Sequence, residues 1–172
     1  MCIPRKIIST VVGWLLMMFS DISVADQQAV MASSNQSSVS AGDTLVIDVF
    51  YDNDNKDPSL SGLGLRLYYD SSIMKIASLG DFLDRNLVIK NVESMIDTDD
   101  SDNDPSTDRF VLVAWASLNN DWPGMGLPVL LLKARFEVLS DEKELTTINF
   151  NSSSTAAGYD FSGDRLEVQI RN

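Results

Sequence analysis

An acidic stretch without lysine or arginine, residues 97–108, is the densest group of chemically capable side chains in the sequence. Calcium binds about six to eight hard oxygen ligands, so the stretch predicts a structural Ca²⁺ site in a loop between strands. The alternative is a solvated acidic loop without an ion. An EF-hand is excluded, because Asp102 stands where the motif needs glycine and no helical pattern flanks the stretch. The candidate ligands are Asp97, Asp99, Asp100, Asp102, Asp104 and Asp108.

Aromatic side chains form the second group that could bind a ligand. A flat aromatic ring stacks on the apolar face of a sugar, and Trp122 lies in a polar, turn-rich stretch, residues 119–124. Tyr68 and Tyr159 are the next candidates for a polysaccharide-binding surface. The alternative is that Trp122 packs over one end of the domain, because large aromatic rings commonly fill protein cores.

Catalytic motifs are missing from the sequence. It has no histidine and a single cysteine, which excludes an imidazole base and a His/Cys metal cluster. No phosphate loop, nucleophile elbow or His-Glu-x-x-His motif occurs. Two carboxylates can hydrolyse a glycoside, but no motif selects one pair among the 25 acidic side chains. We therefore predict that the protein is not an enzyme.

The first 25 residues have the pattern of a cleavable signal peptide. Arg5 and Lys6 precede an apolar run, residues 7–19, and small residues stand at Ser23 and Ala25. The run is shorter than the roughly 20 residues that span a bilayer, so no membrane insertion is expected after cleavage. We predict a mature domain at residues 26–172 that is secreted to the cell surface or beyond, with the periplasm as an alternative.

The charge balance restricts the partners. The chain has 13 basic and 25 acidic side chains and a net charge of −12. Nucleic acids and anionic membranes bind surfaces rich in lysine and arginine, so both are poor partners for this protein.

Short apolar segments alternate with turns rich in Asp, Asn, Ser and Gly, which predicts an all-β sandwich. In the last segment Leu166, Val168 and Ile170 alternate with polar residues, as in a strand with one buried and one solvent-exposed face. One helical turn is predicted at residues 81–86. The nine predicted strands are residues 28–32, 44–51, 60–69, 73–79, 86–94, 109–118, 128–139, 145–150 and 165–171.

Two further patterns concern packing within these strands. Alternation predicts a core set from residue 63 to 69 and another at residues 130, 132, 134, 136 and 138. Gly62 and Gly64 precede no helix, so they indicate a close backbone approach or a bulge within a strand.

The order of these features resembles the bacterial cohesin family and its structural relatives among the carbohydrate-binding modules. Three segments carry the resemblance. Residues 39–44, Val-Ser-Ala-Gly-Asp-Thr, stand before an alternating strand. Residues 62–72 hold a small-residue strand followed by a Tyr-Asp-Ser turn, and residues 130–138 end in Phe-Glu-Val.

The resemblance implies a nine-stranded jelly-roll β-sandwich that acts by recognition, without chemistry of its own. Cohesins bind dockerin modules through one sheet face. The implied function is the binding of a dockerin-like or surface protein in extracellular assembly or adhesion. The related carbohydrate-binding modules hold polysaccharide on aromatic platforms, and this is the alternative function.

Overall fold

The structure is a computed structural model that describes residues 25–171. The predicted signal peptide lies almost wholly outside these residues. Within them the chain forms strands and turns only, and no helix is long and apolar enough to cross a membrane. The strands are β1 (Asp26–Ser34), β2 (Ser38–Val39), β3 (Thr44–Asn53), β4 (Ser59–Leu60), β5 (Gly62–Tyr69), β6 (Met74–Gly80), β7 (Leu87–Ile96), β8 (Arg109–Ala116), β9 (Trp122–Pro123), β10 (Val129–Val138), β11 (Leu145–Ser154), β12 (Tyr159–Gly163) and β13 (Arg165–Ile170).

Two large sheets form a sandwich, which confirms the predicted all-β fold. One has five strands in the order β12-β1-β3-β10-β6, and the other has six in the order β2-β13-β11-β5-β8-β7. The short pair β4 and β9 forms a third, small sheet. β7 is an edge strand that pairs only with β8 among the described residues.

The structure divides the chain into more strands than the nine predicted. The nine predicted segments correspond to the longer strands. The four additional strands, β2, β4, β9 and β12, are only two to five residues long. β2 and β12 add parallel to β13 and β1. Strands of this length carry too few residues to show alternation.

The helical turn predicted at residues 81–86 is wrong. This segment is a bend and a turn, in which Asp81 and Asn86 have φ angles of 48° and 59°. The backbone N–H of Leu83 donates to the carbonyl of Leu131 at 2.7 Å. The segment is therefore tied to β10 and has no helical hydrogen bonds of its own.

The core lies between the two sheets and follows the predicted alternation. Leu63, Leu65 and Leu67 of β5 are almost fully buried. In β10 a bulge between Leu130 and Leu132 shifts the register, so Leu130 is only half-buried. Leu131 takes a core position instead of Leu130, because one extra residue reverses the alternation on one side of a bulge.

The close backbone approach predicted from two glycines is confirmed. At Gly62 the φ angle is +134°, and a Cβ atom would lie 2.1 Å from the backbone oxygen of Trp115. At Gly64 a Cβ atom would lie 2.2 Å from the hydroxyl oxygen of Ser153. β5 therefore needs glycine where Gly62 meets the β8 backbone, whereas at Gly64 the nearest atoms are side-chain hydroxyls next to β11.

Candidate functional site

The outer face of the six-stranded sheet carries the side chains that alternate with the core set. Two rows of residues cross this face in register. The first row spans β7, β8, β5, β11 and β13, and the second row lies beside it on the first four of these strands. The first row is Met95, Phe110, Tyr68, Asn149 and Arg165, and the second row is Asn91, Leu112, Arg66 and Asn151.

The acidic stretch, residues 97–108, connects β7 to β8 and folds onto the first row. The Asp104 carboxylate accepts hydrogen bonds from the Thr147 hydroxyl and the Asn149 amide, both at 3.0 Å, and forms an ion pair with Arg165 at 2.8 Å. The carbonyl of Ser101 accepts a hydrogen bond of 2.6 Å from the Asn151 amide. The loop therefore covers one end of the sheet.

The six predicted metal ligands do not come together as one set. One oxygen from each of Asp97, Asp100 and Asp102 lies within 4.8 Å of the others. The Asp104 carboxylate instead contacts side chains of β11 and β13. Asp108 accepts two hydrogen bonds from Ser71, both at 2.7 Å. Asp99 is exposed and stands outside the group of three.

The pKa values of two of these carboxylates show how firmly they are held. Burial alone would raise the pKa of Asp104, but hydrogen bonds from Ser106, Asn149 and Thr147 outweigh it and hold the pKa well below the ordinary value. Burial alone would likewise raise the pKa of Asp108, but hydrogen bonds from Ser71 outweigh it and lower the pKa. Both groups are fixed anions at neutral pH.

Trp122 and Tyr68, two of the three predicted sugar-binding residues, are both fully buried, so neither ring presents a face to solvent in this structure. The ring of Trp122 packs 4.6 Å from that of Tyr51 and 6.0 Å from that of Trp115, centroid to centroid. This agrees with the alternative interpretation, in which Trp122 packs within the domain. Tyr68 lies beneath the acidic loop, in the first row. Tyr159 is half-buried on β12, at the edge of the other sheet, and packs against the core.

The β7 edge is a feature that sequence reasoning missed. Four large apolar side chains of this strand face solvent, with exposures of 42–64%. Ile89 lies opposite Ala114 and continues the outer face beyond the second row. The signal in the sequence is the failure of alternation here, since Val88 and Ile89 are adjacent and only one can point to the core. We call this set the β7 apolar edge: Val88, Ile89, Val92 and Ile96.

Cations near the β7 apolar edge are engaged with aromatic rings. The Lys90 ammonium lies 4.2 Å from the Phe82 ring centroid, and the Arg66 guanidinium lies 5.3 Å from that of Phe110. Such cation–π contacts hold the long side chains against the surface. The acidic loop follows β7 directly in the chain, so the β7 apolar edge, between whose members the charged Lys90 and Glu93 are also exposed, adjoins an anionic surface at one end.

Comparison with solved structures identifies the fold of this protein. No protein-family model matches the sequence, and no curated protein is similar to it. One similar solved structure is a cohesin module of a Clostridium perfringens family 33 glycoside hydrolase, with 18% identity over 84% of this chain and 96% of that chain and a TM-score of 0.55. A second is a type I cohesin–dockerin complex from Clostridium thermocellum, with 16% identity over 83% of this chain and 99% of that chain and a TM-score of 0.54. A third is a type II cohesin domain from the cellulosome of Acetivibrio cellulolyticus, with 13% identity over 84% of this chain and 95% of that chain and a TM-score of 0.50. The fold is a cohesin-like β-sandwich, as the sequence resemblance implied.

Proposed function

We propose that this protein is a non-catalytic extracellular recognition module that binds a protein partner at the β7 apolar edge and the adjoining outer face. The observation that carries the proposal is the group of exposed Val and Ile side chains on β7, an edge strand that has no second partner strand among residues 25–171. Edge strands are normally protected by charges, prolines, bulges or covering segments; β7 has two register shifts and the exposed side chains of Lys90 and Glu93, so the proposal rests on its apolar side chains and not on a bare edge. A cluster of exposed apolar side chains commonly marks an interaction site.

The fold supports the same class of function. The similar structure from Clostridium thermocellum is a cohesin bound to a dockerin. A fold alone does not define a function, so the analogy adds weight only because the exposed edge is present here. The partner proposed is a dockerin-like module or another surface protein.

The charges of the domain define the chemistry of this partner. Its contact surface is apolar at the centre, to cover Val88 and Val92, and basic at the side that meets the acidic loop. The net charge of −12 favours the approach of such a partner and disfavours self-association. Complementary charges raise the association rate and select the partner more than they raise affinity.

The carboxylates with shifted pKa values do not have the property of a catalytic acid. A catalytic acid needs a pKa raised towards neutrality. The shifted carboxyl pKa values here all move the other way, at Asp104, Asp108 and Asp121. At Asp121 a hydrogen bond from Ser117, followed by the contact with Arg85, lowers the pKa to about 2. Polysaccharide binding is not favoured either, because two of its three candidate aromatic residues are buried.

The test is capture with matched variants. The purified protein is immobilised and exposed to the producing organism's culture supernatant and cell-surface extract, and bound proteins are identified by mass spectrometry. Val88→Asp/Val92→Asp changes the β7 apolar edge. The control, Leu139→Asp/Ala157→Asp, adds the same charge at two exposed sites outside β7.

One protein in stoichiometric amount, lost with the β7 variant and kept with the control, supports the proposal. Equal loss with both variants contradicts it, because the effect would then come from charge and not from the edge. Retained glycan without protein contradicts it in favour of polysaccharide binding.

A further inference from the structure

The carboxylates of Asp97, Asp100 and Asp102 converge without a cation to neutralise them. Among residues 25–171, no lysine or arginine forms an ion pair with any of the three, whereas Asp104 in the same loop pairs with Arg165. Asp97 accepts hydrogen bonds from the backbone N–H and hydroxyl of Ser101, at 2.9 and 3.1 Å. Three like charges within 4.8 Å repel one another unless a counterion lies between them.

The sheet beneath this cluster presents buried oxygen atoms that have no hydrogen-bond partner. Within the part of the chain that the structure describes, the Tyr68 hydroxyl, the Asn149 side-chain carbonyl and the Arg66 Nε are all unpaired, and Tyr68 and Asn149 lie opposite each other on β5 and β11. Tyr68 is fully buried and Asn149 is 6% exposed. Buried polar atoms nearly always have a partner, so two unpaired oxygens under one loop require an explanation.

Both residues lie next to the acidic loop. The Asn149 amide nitrogen donates to the Asp102 carboxylate at 2.9 Å, which places the whole amide group against that residue. Burial raises the pKa of the Tyr68 hydroxyl, against the opposing effect of the nearby Arg66 guanidinium; Asp97 and Ser101 of the loop also act on this hydroxyl, which places it beside the loop. Two neutral oxygens therefore lie under the loop that carries the three carboxylates, with the Arg66 guanidinium beside Tyr68.

We propose that Asp97, Asp100 and Asp102 bind one Ca²⁺ ion, with the neutral oxygens of Tyr68 and Asn149 on its inner side and water completing the shell. Calcium accepts six to eight oxygens in irregular geometry, about 2.3–2.6 Å away. Magnesium demands a near-ideal octahedron at shorter distances and retains more water, so it fits this mixed set poorly. The ion holds the acidic loop on the first row of the outer face.

Calorimetric titration of the metal-free protein with CaCl₂ tests the site. The test variant is Asp97→Asn/Asp100→Asn, in which asparagine keeps an acceptor for the Ser101 hydrogen bonds. The control, Asp99→Asn/Asp141→Asn, removes the same number of charges at exposed positions outside the cluster. If circular dichroism shows that the double variant does not fold, Asp100→Asn alone, at an exposed position, provides the same comparison.

The expected result is one Ca²⁺ per chain, with affinity at least about tenfold lower for the test variant and unchanged for the control. Calcium should also raise the melting temperature of the wild-type protein, because it binds the folded state only. Mg²⁺ should bind more weakly than Ca²⁺. Absence of saturable binding at millimolar calcium overturns the proposal, and so does an equal loss of affinity in both variants. None of these readings depends on the partner of the β7 apolar edge.

Discussion

The Asp104 carboxylate lies 2.8 Å from the Arg165 guanidinium, and this contact joins the acidic loop to β13, the last strand of the six-stranded sheet. Asp104 is 6% exposed, whereas the Arg165 side chain is half exposed. The carboxylate also accepts hydrogen bonds from Ser106, Thr147 and Asn149. The loop is therefore a fixed part of the outer face.

Asp104→Ala should destabilise the protein by about 2 kcal/mol, because it leaves the buried Thr147 hydroxyl without its acceptor and removes one of the two acceptors of the Asn149 amide. Urea unfolding measures the change. Arg165→Ala should cost less, since half of that side chain is already in water. Equal stability of Asp104→Ala and wild type would show that the loop is not held by this residue.

Stability should fall in acid as Asp104 and Asp108 are protonated. Both pKa values are lower in the folded protein than the ordinary aspartate value of about 3.9. Their contribution is therefore complete above about pH 4 and is lost as the pH falls through the folded pKa values. Thermal melts between about pH 5 and pH 2 measure this. Asp104→Asn should flatten the curve, and an unchanged slope would exclude Asp104 as a source of the dependence.

Trp122→Ala should reduce the free energy of unfolding by about 3–5 kcal/mol, because it removes a large buried ring packed on Tyr51 and Trp115. Trp122→Phe should cost less, since a smaller ring still fills part of the space. Denaturant unfolding gives both values. An Ala variant of normal stability that loses retention on a polysaccharide would instead restore the sugar-binding interpretation.

Gly62→Ala should destabilise the protein by about 3 kcal/mol, from backbone strain at positive φ and a clash with the Trp115 carbonyl. Gly80→Ala is the matched control, because a Cβ atom at Gly80 meets nothing within 4 Å. It should change stability by no more than about 0.5 kcal/mol. Similar losses for both would mean that β5 and β8 do not approach closely at Gly62.

The sequence predicts most of the fold because alternation is a direct consequence of one buried face. Leu63, Leu65 and Leu67 show it without interruption, and all three are in the core. The prediction fails at Leu130, where a bulge reverses the faces. A bulge depends on how two strands pair, and one strand's sequence does not specify that pairing.

The candidate site is less predictable because it depends on which side chains are covered by other parts of the folded chain. A turn-rich context suggested an exposed Trp122, but the ring faces inwards from the short strand β9 and is buried. Tyr68 alternates with the core set and would be exposed if the acidic loop did not lie over it. The density of carboxylates identified the loop, but only the folded chain separates Asp97, Asp100 and Asp102 from Asp104.

Hydrogen exchange on the isolated complex with its captured partner tests the central claim, that the protein binds a protein through the β7 apolar edge. We expect slower amide exchange in β7 (Leu87–Ile96) when the partner is bound, and unchanged exchange in β1 and β3 of the other sheet. β7 pairs only with β8 among residues 25–171, so protection gained from a bound partner should be readily detected in this strand. Slower exchange confined to the five-stranded sheet, with β7 unaffected, would contradict the account.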